Sequence, residues 1–190
     1  VLINGNIAYV GMGNCVYILQ FANPSHFDEI GLQCGLQGDV SSIAFFNDLL
    51  YVAAGNYLHI LDVFDPAVIN EISSYRTEAT INSVFFSENI VYLAAGELGV
   101  QMLDVSTPTK PIECGLLDTP GSAKDIEVVD ERAYVADGDL GIRVFDISNL
   151  STPAEIGFFD TPGVSKGISV SENIIYVADG EHGLSIIDFS

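Results

Sequence analysis

Acidic side chains recur in short Gly-containing turns that follow tyrosine-led apolar runs. In two of these turns, at residues 137–139 and 179–181, two carboxylates stand two positions apart, and His182 follows the second pair. Carboxylates are the oxygen ligands that calcium takes, about 6–8 of them at roughly 2.3–2.6 Å. The spacing is not that of an EF-hand loop, so a calcium site is the alternative. The favoured interpretation is that Asp side chains accept backbone N–H groups in tight turns.

A second set of candidates surrounds two copies of the sequence Asp-Thr-Pro-Gly, at Asp118–Gly121 and Asp160–Gly163, which Lys124 and Lys166 follow. We expect these Asp residues to make turns and the lysines to offset Asp118 and Asp160, with binding of an anionic group as the alternative. The candidate ligand-binding residues are Asp118, Lys124, Asp137, Asp139, Asp160, Lys166, Asp179, Glu181 and His182.

Other reactive side chains are scattered. His26, His59 and His182 stand at three different phases of the sequence repeat described below, so they are not expected to form a metal site. Motifs such as G-x-S-x-G and H-E-x-x-H are absent from the sequence, so we expect no catalytic residues and no cofactor beyond the calcium alternative. The three cysteines form no C-x-x-C pair, and we expect all three to be free thiols packed as small apolar residues.

The elements that position these side chains repeat along the chain. YVADGDLGIRVFD at residues 134–146 returns as YVADGEHGLSIID at residues 176–188, and looser copies begin at Tyr9, Tyr51 and Tyr92. The leading tyrosines are 42, 41, 42 and 42 residues apart. Each period holds four short runs rich in Val, Ile, Tyr and Phe, which indicates four antiparallel strands. Such a period predicts one β-propeller blade.

The predicted fold class is therefore an all-β β-propeller, one domain over residues 1–190 with five repeats of about 42 residues. The approximate blades are 1–38, 39–79, 80–121, 122–163 and 164–190, of which the first and last are incomplete. We expect a piece of a longer chain with about six to eight blades, and the alternative is a closed five-bladed ring. By analogy with other propellers, the Gly turns and the Asp-Thr-Pro-Gly loops should share one face. Asp62, Asp104, Asp146 and Asp188 are expected to make Asx turns.

Three phrases, GVQMLDVS, GIRVFDIS and GLSIIDFS, together with PIECGLLDTPG and PAEIGFFDTPG, resemble the LVIVD-repeat family of β-propellers. The resemblance covers the whole chain and is most specific in its last three copies. In the first two copies, Leu36–Asp39 and Thr77–Thr80 stand where the family pattern has Asp-Thr-Pro-Gly. The resemblance implies a cell-surface or secreted location and a binding or scaffolding role, and it supplies no catalytic residues.

Composition limits the partners. Six Lys and Arg residues face 26 Asp and Glu residues, for a formal charge of −20. Phosphate backbones and anionic membranes attract cationic proteins, so neither nucleic acid nor a membrane surface is an expected partner. Hydrophobic residues make up 48% of the chain in short runs, far below the roughly 20 residues of a membrane span. Membrane insertion is therefore not expected.

Three functions remain open from the sequence. The first is a non-enzymatic surface or secreted module that binds a protein or glycan through its loop face. The second is a propeller enzyme, a calcium-dependent hydrolase or lactonase, that uses the acidic loops. The third is a purely structural segment that spaces domains of a larger surface protein, in which further blades or domains would be its neighbours.

Overall fold

The computed structural model describes residues 1–23 and 26–189, with only the backbone of Ala22. These residues form five antiparallel sheets, four of which have four strands and one three strands. We call the sheets blades 1 to 5 in chain order. The predicted all-β fold of repeated four-stranded blades is confirmed. Within the described residues, the one helical element is a short 3-10 turn at Gly180–His182.

The strand bounds follow the repeat. Blades 1 and 2 contain β1 (Leu2–Asn4), β2 (Ile7–Met12), β3 (Cys15–Asn23), β4 (His26–Cys34), β5 (Val40–Phe46), β6 (Leu49–Ala54), β7 (Tyr57–Asp62) and β8 (Asn70–Arg76). Blades 3 and 4 contain β9 (Ser83–Ser87), β10 (Ile90–Ala94), β11 (Val100–Asp104), β12 (Ile112–Leu117), β13 (Asp125–Val129), β14 (Arg132–Ala136), β15 (Ile142–Asp146) and β16 (Ala154–Phe159). Blade 5 contains β17 (Gly167–Ser171), β18 (Ile174–Ala178) and β19 (Leu184–Asp188).

Each blade is a meander whose strands pair in sequence order. The first strands of adjacent blades contact one another, β5 with β9, β9 with β13 and β13 with β17, so they lie at the inner side of the row. Two carboxylates of β13 reinforce the last of these contacts. Asp125 and Glu127 accept hydrogen bonds from the backbone N–H groups of Ile168 and Val170 at 3.0 and 2.9 Å. These bonds satisfy donors on a strand edge that would otherwise need water.

Adjacent blades pack face to face through the tyrosine of the second strand. Tyr9, Tyr51, Tyr92 and Tyr134 are each at most 3% exposed, and each lies in an apolar cluster shared with the next blade. A buried aromatic side chain removes about 150–250 Å² of surface from water. The repeated tyrosine therefore contributes an anchor to every interface between blades.

The loop between the third and fourth strands of one blade rests on the fourth strand of the preceding blade. A Cβ placed on Gly31 would lie 2.1 Å from the carbonyl oxygen of Pro66, and one on Gly115 would lie 2.1 Å from that of Leu150. At the equivalent place in blade 2, the hydroxyl of Ser73 donates to the carbonyl of Pro108 at 2.6 Å. A Gly or Ser is required here because a larger side chain would push the loop away.

The expected Asx turns at the ends of the third strands are confirmed for three repeats. Asp62, Asp104 and Asp146 accept hydrogen bonds from backbone N–H groups two residues later, at 3.0, 2.8 and 2.9 Å. The hydrogen bonds lower the pKa of Asp104 and of Asp146 below the usual value. The same turn at Asp188 would involve residue 190, which lies outside the described residues.

The prediction of three free thiols was wrong for two of them. Cys15 and Cys34 are joined by a disulfide across β3 and β4, with their Cα atoms 4.1 Å apart. The two residues stand at different repeat phases, but directly opposite positions on neighbouring antiparallel strands bring their side chains together. Cys114 is free and half-buried, as expected, and burial raises the pKa of its thiol.

The five blades form an open row rather than the alternative closed ring. Tyr176, which is equivalent to the buried tyrosines, is 37% exposed, and Leu184 and Ile186 beside it are each 61% exposed. At the other end, Val1, Ile3 and Met12 of blade 1 are also exposed. Among the described residues, blade 5 therefore does not cover blade 1.

Candidate functional site

Two kinds of loop meet at one end of the blades. In an antiparallel meander, the turn between the second and third strands lies at the same end as the connection to the next blade. Gly96 and Ala123 bridge the two kinds of loop by exchanging backbone hydrogen bonds of 3.1 and 2.9 Å, and Ser165 donates to Gly138 at 2.9 Å in the next pair. We call this end the loop face. The predicted grouping of the Gly turns with the Asp-Thr-Pro-Gly loops is confirmed.

Asp137 and Asp179 lie fully buried at the end of the second strand in blades 4 and 5. Asp137 Oδ2 accepts a hydrogen bond from the N–H of Gly121 at 2.9 Å, and Asp179 Oδ2 accepts one from Gly163 at 3.1 Å. Each carboxylate thus holds the loop that leads into its own blade. The predicted capping role is correct, but the bond reaches back 16 residues instead of closing a local turn.

A buried arginine accompanies the first of these carboxylates. Arg143 Nε lies 3.7 Å from Asp137 Oδ2, and its other nitrogens lie 3.6 Å from Glu155 and 4.0 Å from Asp160. Its guanidinium carbon stands 4.9 Å from the ring centre of Phe158, a cation–π distance. Burial nevertheless raises the pKa of Asp137 above its usual value, against the lowering effects of the Gly121 hydrogen bond and Arg143.

A groove opens on the loop face between blades 3 and 4. Its lining includes Glu97, Pro120, Ser122, Lys124, Asp139 and Leu140. Lys124 is half-buried, whereas Asp139 and Leu140 are exposed. The groove therefore places one cation, two carboxylates and exposed apolar surface side by side. It brings together two of the sequence-predicted candidates, Lys124 and Asp139.

The other candidates lie around this groove without joining it. Asp118, Asp160, Lys166, Glu181 and His182 are exposed. Within the described part of the chain, no ion pair links Lys124 or Lys166 to a carboxylate, so the expected offset of Asp118 and Asp160 by these lysines is not present. It is Arg143 that approaches Asp160.

The acidic loops do not converge on a cation site. A search of residues 1–23 and 26–189 finds no group of three or more His, Cys, Asp or Glu side chains placed to hold a metal ion. The repeat spaces the carboxylates one blade apart, and the most deeply buried ones, Asp137 and Asp179, are engaged with backbone N–H groups. The calcium alternative thus has no geometric support in this part of the chain.

The sequence reasoning missed a series of polar pairs between the third and fourth strands. His59 lies 2.9 Å from Glu71, Gln101 donates to Glu113 at 3.3 Å, and Arg143 lies 3.6 Å from Glu155. The first members of these pairs are 42 residues apart, and so are the second members. The signal was a Glu at a constant repeat phase, which can be read from the sequence. Its partner changes type in every blade, which hid the pattern.

Comparisons with known proteins agree with this architecture. The LVIVD repeat family profile matches residues 1–32, 37–77, 81–119, 120–161 and 162–190. None of the curated proteins searched matches the chain.

Two solved structures of designed proteins are similar in fold. The computationally designed Ika8 protein aligns with a TM-score of 0.79 at 14% identity, covering 98% of this chain and 57% of its own. The computationally designed Ika4 protein aligns with a TM-score of 0.68 at 15% identity, covering 82% of this chain and 94% of its own. At these identities the likeness concerns the fold alone.

The chain spans little more than half the length of the Ika8 protein. Over the described residues, no helix is both long and apolar enough to span a bilayer. Five family matches in succession, each on one antiparallel sheet, cover most of the sequence. The chain belongs to the LVIVD-repeat family.

Proposed function

We propose that this chain is a non-enzymatic binding module whose loop-face groove between blades 3 and 4 takes a protein or glycan partner. The observation that carries the proposal is the groove itself, in which Lys124 stands between Glu97, Asp139 and the exposed side chain of Leu140. A mixture of charged, polar and apolar groups in one concave surface is typical of sites that recognise a ligand.

The rigidity of the groove supports a binding role. Gly121 is fixed by the buried carboxylate of Asp137, and Gly96 and Ala123 exchange two backbone hydrogen bonds across the groove. A surface that is ordered before it meets a partner loses less conformational entropy on binding. The most deeply buried carboxylates serve this ordering, which favours recognition over acid–base chemistry for them.

The chemistry of the groove favours neutral or partly cationic partners. With a formal charge of −20, the protein repels polyanions at a distance, while Lys124 offers one local donor for a hydroxyl or carboxylate. Glu97 and Asp139 accept hydrogen bonds from hydroxyl, amide or ammonium groups. Sugar hydroxyls and peptide side chains both meet these requirements.

A surface or secreted location fits the cysteine chemistry. The disulfide between Cys15 and Cys34 joins neighbouring strands of blade 1. Disulfides persist in oxidising surroundings and are uncommon in reducing cytosol. We therefore propose an extracellular or cell-surface setting, as the family resemblance implies.

The test is a screen of the intact 190-residue protein on arrays of glycans and surface-protein ectodomains. A hit should be weakened at least about 10-fold by Lys124→Ala and by Asp139→Asn, a change of about 1.4 kcal/mol. Lys110→Ala is the matched control, because Lys110 is an exposed lysine in the turn between β11 and β12, at the opposite end of the blades. Absence of any hit, or equal loss with Lys110→Ala, would overturn the proposal.

A further inference from the structure

Blade 5 differs from the other blades at one strand edge. In blades 1 to 4 the third strand pairs with the second strand on one side and with a fourth strand on the other. In the described part of blade 5, β19 pairs with β18 alone. The outer edge of residues 184–187 therefore carries a row of backbone donors and acceptors that no strand meets there. Such an edge is a template for an added strand.

Blade 4 carries an empty seat beside this edge. Gly31, Ser73 and Gly115 each receive a loop carbonyl from the next blade, at the close approaches described above. Gly157 stands at the same repeat position, and a Cβ built on it meets no atom within 4 Å. The free edge and the empty seat are separate observations, and both mark the place that a loop followed by a fourth strand fills in the other blades.

The edge is already held in the geometry that a fourth strand meets elsewhere. Tyr176 pairs with Ile186 in blade 5 as Tyr134 pairs with Val144 in blade 4. The first three strands of blade 5 thus keep the register of a complete blade. An incoming strand would not have to reorganise them.

The complete blades also specify which residues the incoming strand must carry. Opposite the residue equivalent to Ile186 stands a Gly or Ser, in the pairs Ile18–Gly31, Ile60–Ser73, Met102–Gly115 and Val144–Gly157. Opposite the next residue stands a Glu, in the pairs Leu19–Glu29, Leu61–Glu71, Leu103–Glu113 and Phe145–Glu155. A register shift falls between the two pairs in every case and inserts one residue.

We infer that the outer edge of β19, together with the seat at Gly157, is a docking site for an extended peptide segment. The occupant carries a turn, then Glu, one further residue, and Gly or Ser. It adds antiparallel to β19, with its small residue opposite Ile186 and its turn carbonyl resting on Gly157. Main-chain hydrogen bonds hold the segment, and the small residue and the seat select it.

The chain supplies the probe for this site. Residues 106–117 read STPTKPIECGLL and contain the loop and fourth strand of blade 3. Their one Lys and one Glu leave the segment side chains neutral, so the acidic protein does not repel it. A labelled peptide of this sequence with Cys114→Ala avoids disulfide exchange. Its anisotropy is measured with increasing amounts of the intact 190-residue protein.

Saturable binding below about 1 mM peptide-binding sites is expected. The peptide with the further change Gly115→Val should bind at least about 10-fold more weakly, because its small residue is lost. The protein variant Gly157→Val should lose affinity by a similar factor, and its circular dichroism should be unchanged since the added side chain meets open space. Phe64→Ala, a change of an exposed side chain just after β7 of blade 2, is the control and should bind as the parent does.

Three results would overturn the inference. The first is no binding up to about 1 mM. The second is equal binding of the parent and Gly115→Val peptides, which would show adhesion without the predicted register. The third is a dimer by light scattering that the peptide does not dissociate, because β19 would then be covered by a second copy of the chain.

Discussion

Asp137 accepts a hydrogen bond from the backbone N–H of Gly121 at 2.9 Å and so fixes the loop that joins blade 3 to blade 4. Asp179 does the same for Gly163 in the next repeat, at 3.1 Å. The equivalent residues of blades 2 and 3 are Ala54 and Ala95, and the loops that precede those blades are not Asp-Thr-Pro-Gly. Carboxylate and loop sequence therefore occur together, as a cap and the segment it holds.

Removal of this cap should destabilise the fold. Asp137→Ala leaves the Gly121 N–H without its acceptor and Arg143 without its buried partner. We expect a loss of about 1–3 kcal/mol in the free energy of unfolding, measured by urea denaturation. Asp139→Ala, two residues away and exposed, should change it by less than about 0.5 kcal/mol. Equal effects of the two variants would contradict the capping role.

The stability contributions of Asp137 and Asp146 should depend on pH with opposite signs. Burial raises the pKa of Asp137, so the folded state binds that proton more tightly than the unfolded state. The stability it contributes is present in acid and is lost as the pH rises through the folded pKa. Hydrogen bonds from Ser148 lower the pKa of Asp146, whose contribution is present above its ordinary value and is lost as the pH falls.

The measurement is the free energy of unfolding of the parent, Asp137→Asn and Asp146→Asn proteins between about pH 3 and 7. Relative to the parent, Asp137→Asn should gain stability as the pH rises, and Asp146→Asn should lose it. Parallel curves for all three proteins would refute both assignments.

The disulfide should stabilise blade 1. Cys15 and Cys34 are 19 residues apart, and a cross-link that closes a loop of this size contributes roughly 3 kcal/mol, mainly through the unfolded state. The double variant Cys15→Ser/Cys34→Ser should unfold at lower urea by this amount. Cys114→Ser serves as the thiol control, and a reducing agent should have no effect on the double variant. A parent protein insensitive to reduction would contradict the pairing.

Two glycines at the same repeat position should respond differently to a side chain. Gly115→Val would place atoms on the carbonyl of Leu150 and on Met102, whereas Gly157→Val meets open space. Overpacking of this kind costs roughly 1–3 kcal/mol. Thermal unfolding should therefore show a lower Tm for Gly115→Val and an unchanged Tm for Gly157→Val. The reverse order would show that the loop does not rest on the strand as described.

The fold could be predicted from the sequence because its signal is repeated. The tyrosine at a constant phase and four apolar runs per period determine strands, blade order and the face that each loop occupies. The same logic hid contacts that break the repeat. Cys15 and Cys34 looked unrelated because their phases differ, yet the register of β3 and β4 sets them opposite.

The candidate site was only partly predictable for a related reason. Asp137 and Asp179 recur in sequence, so their use in holding loops could be anticipated. Arg143 occupies a position that is His59 in blade 2 and Gln101 in blade 3, so no periodic pattern indicates its contact with Asp137. Contacts between side chains of unlike type depend on how adjacent strands and loops pack, and that packing is visible only in three dimensions.

The account rests on a row of equivalent blades in which each tyrosine is buried by the next blade and the last is not. Tyr134 is 2% exposed and Tyr176 is 37% exposed at the same repeat position. The most direct measurement compares the free energies of unfolding of Tyr134→Ala and Tyr176→Ala. The account predicts a loss of about 3–5 kcal/mol for Tyr134→Ala and about 1–2 kcal/mol for Tyr176→Ala. Equal losses would contradict it, because the face of blade 5 would then be covered as the others are.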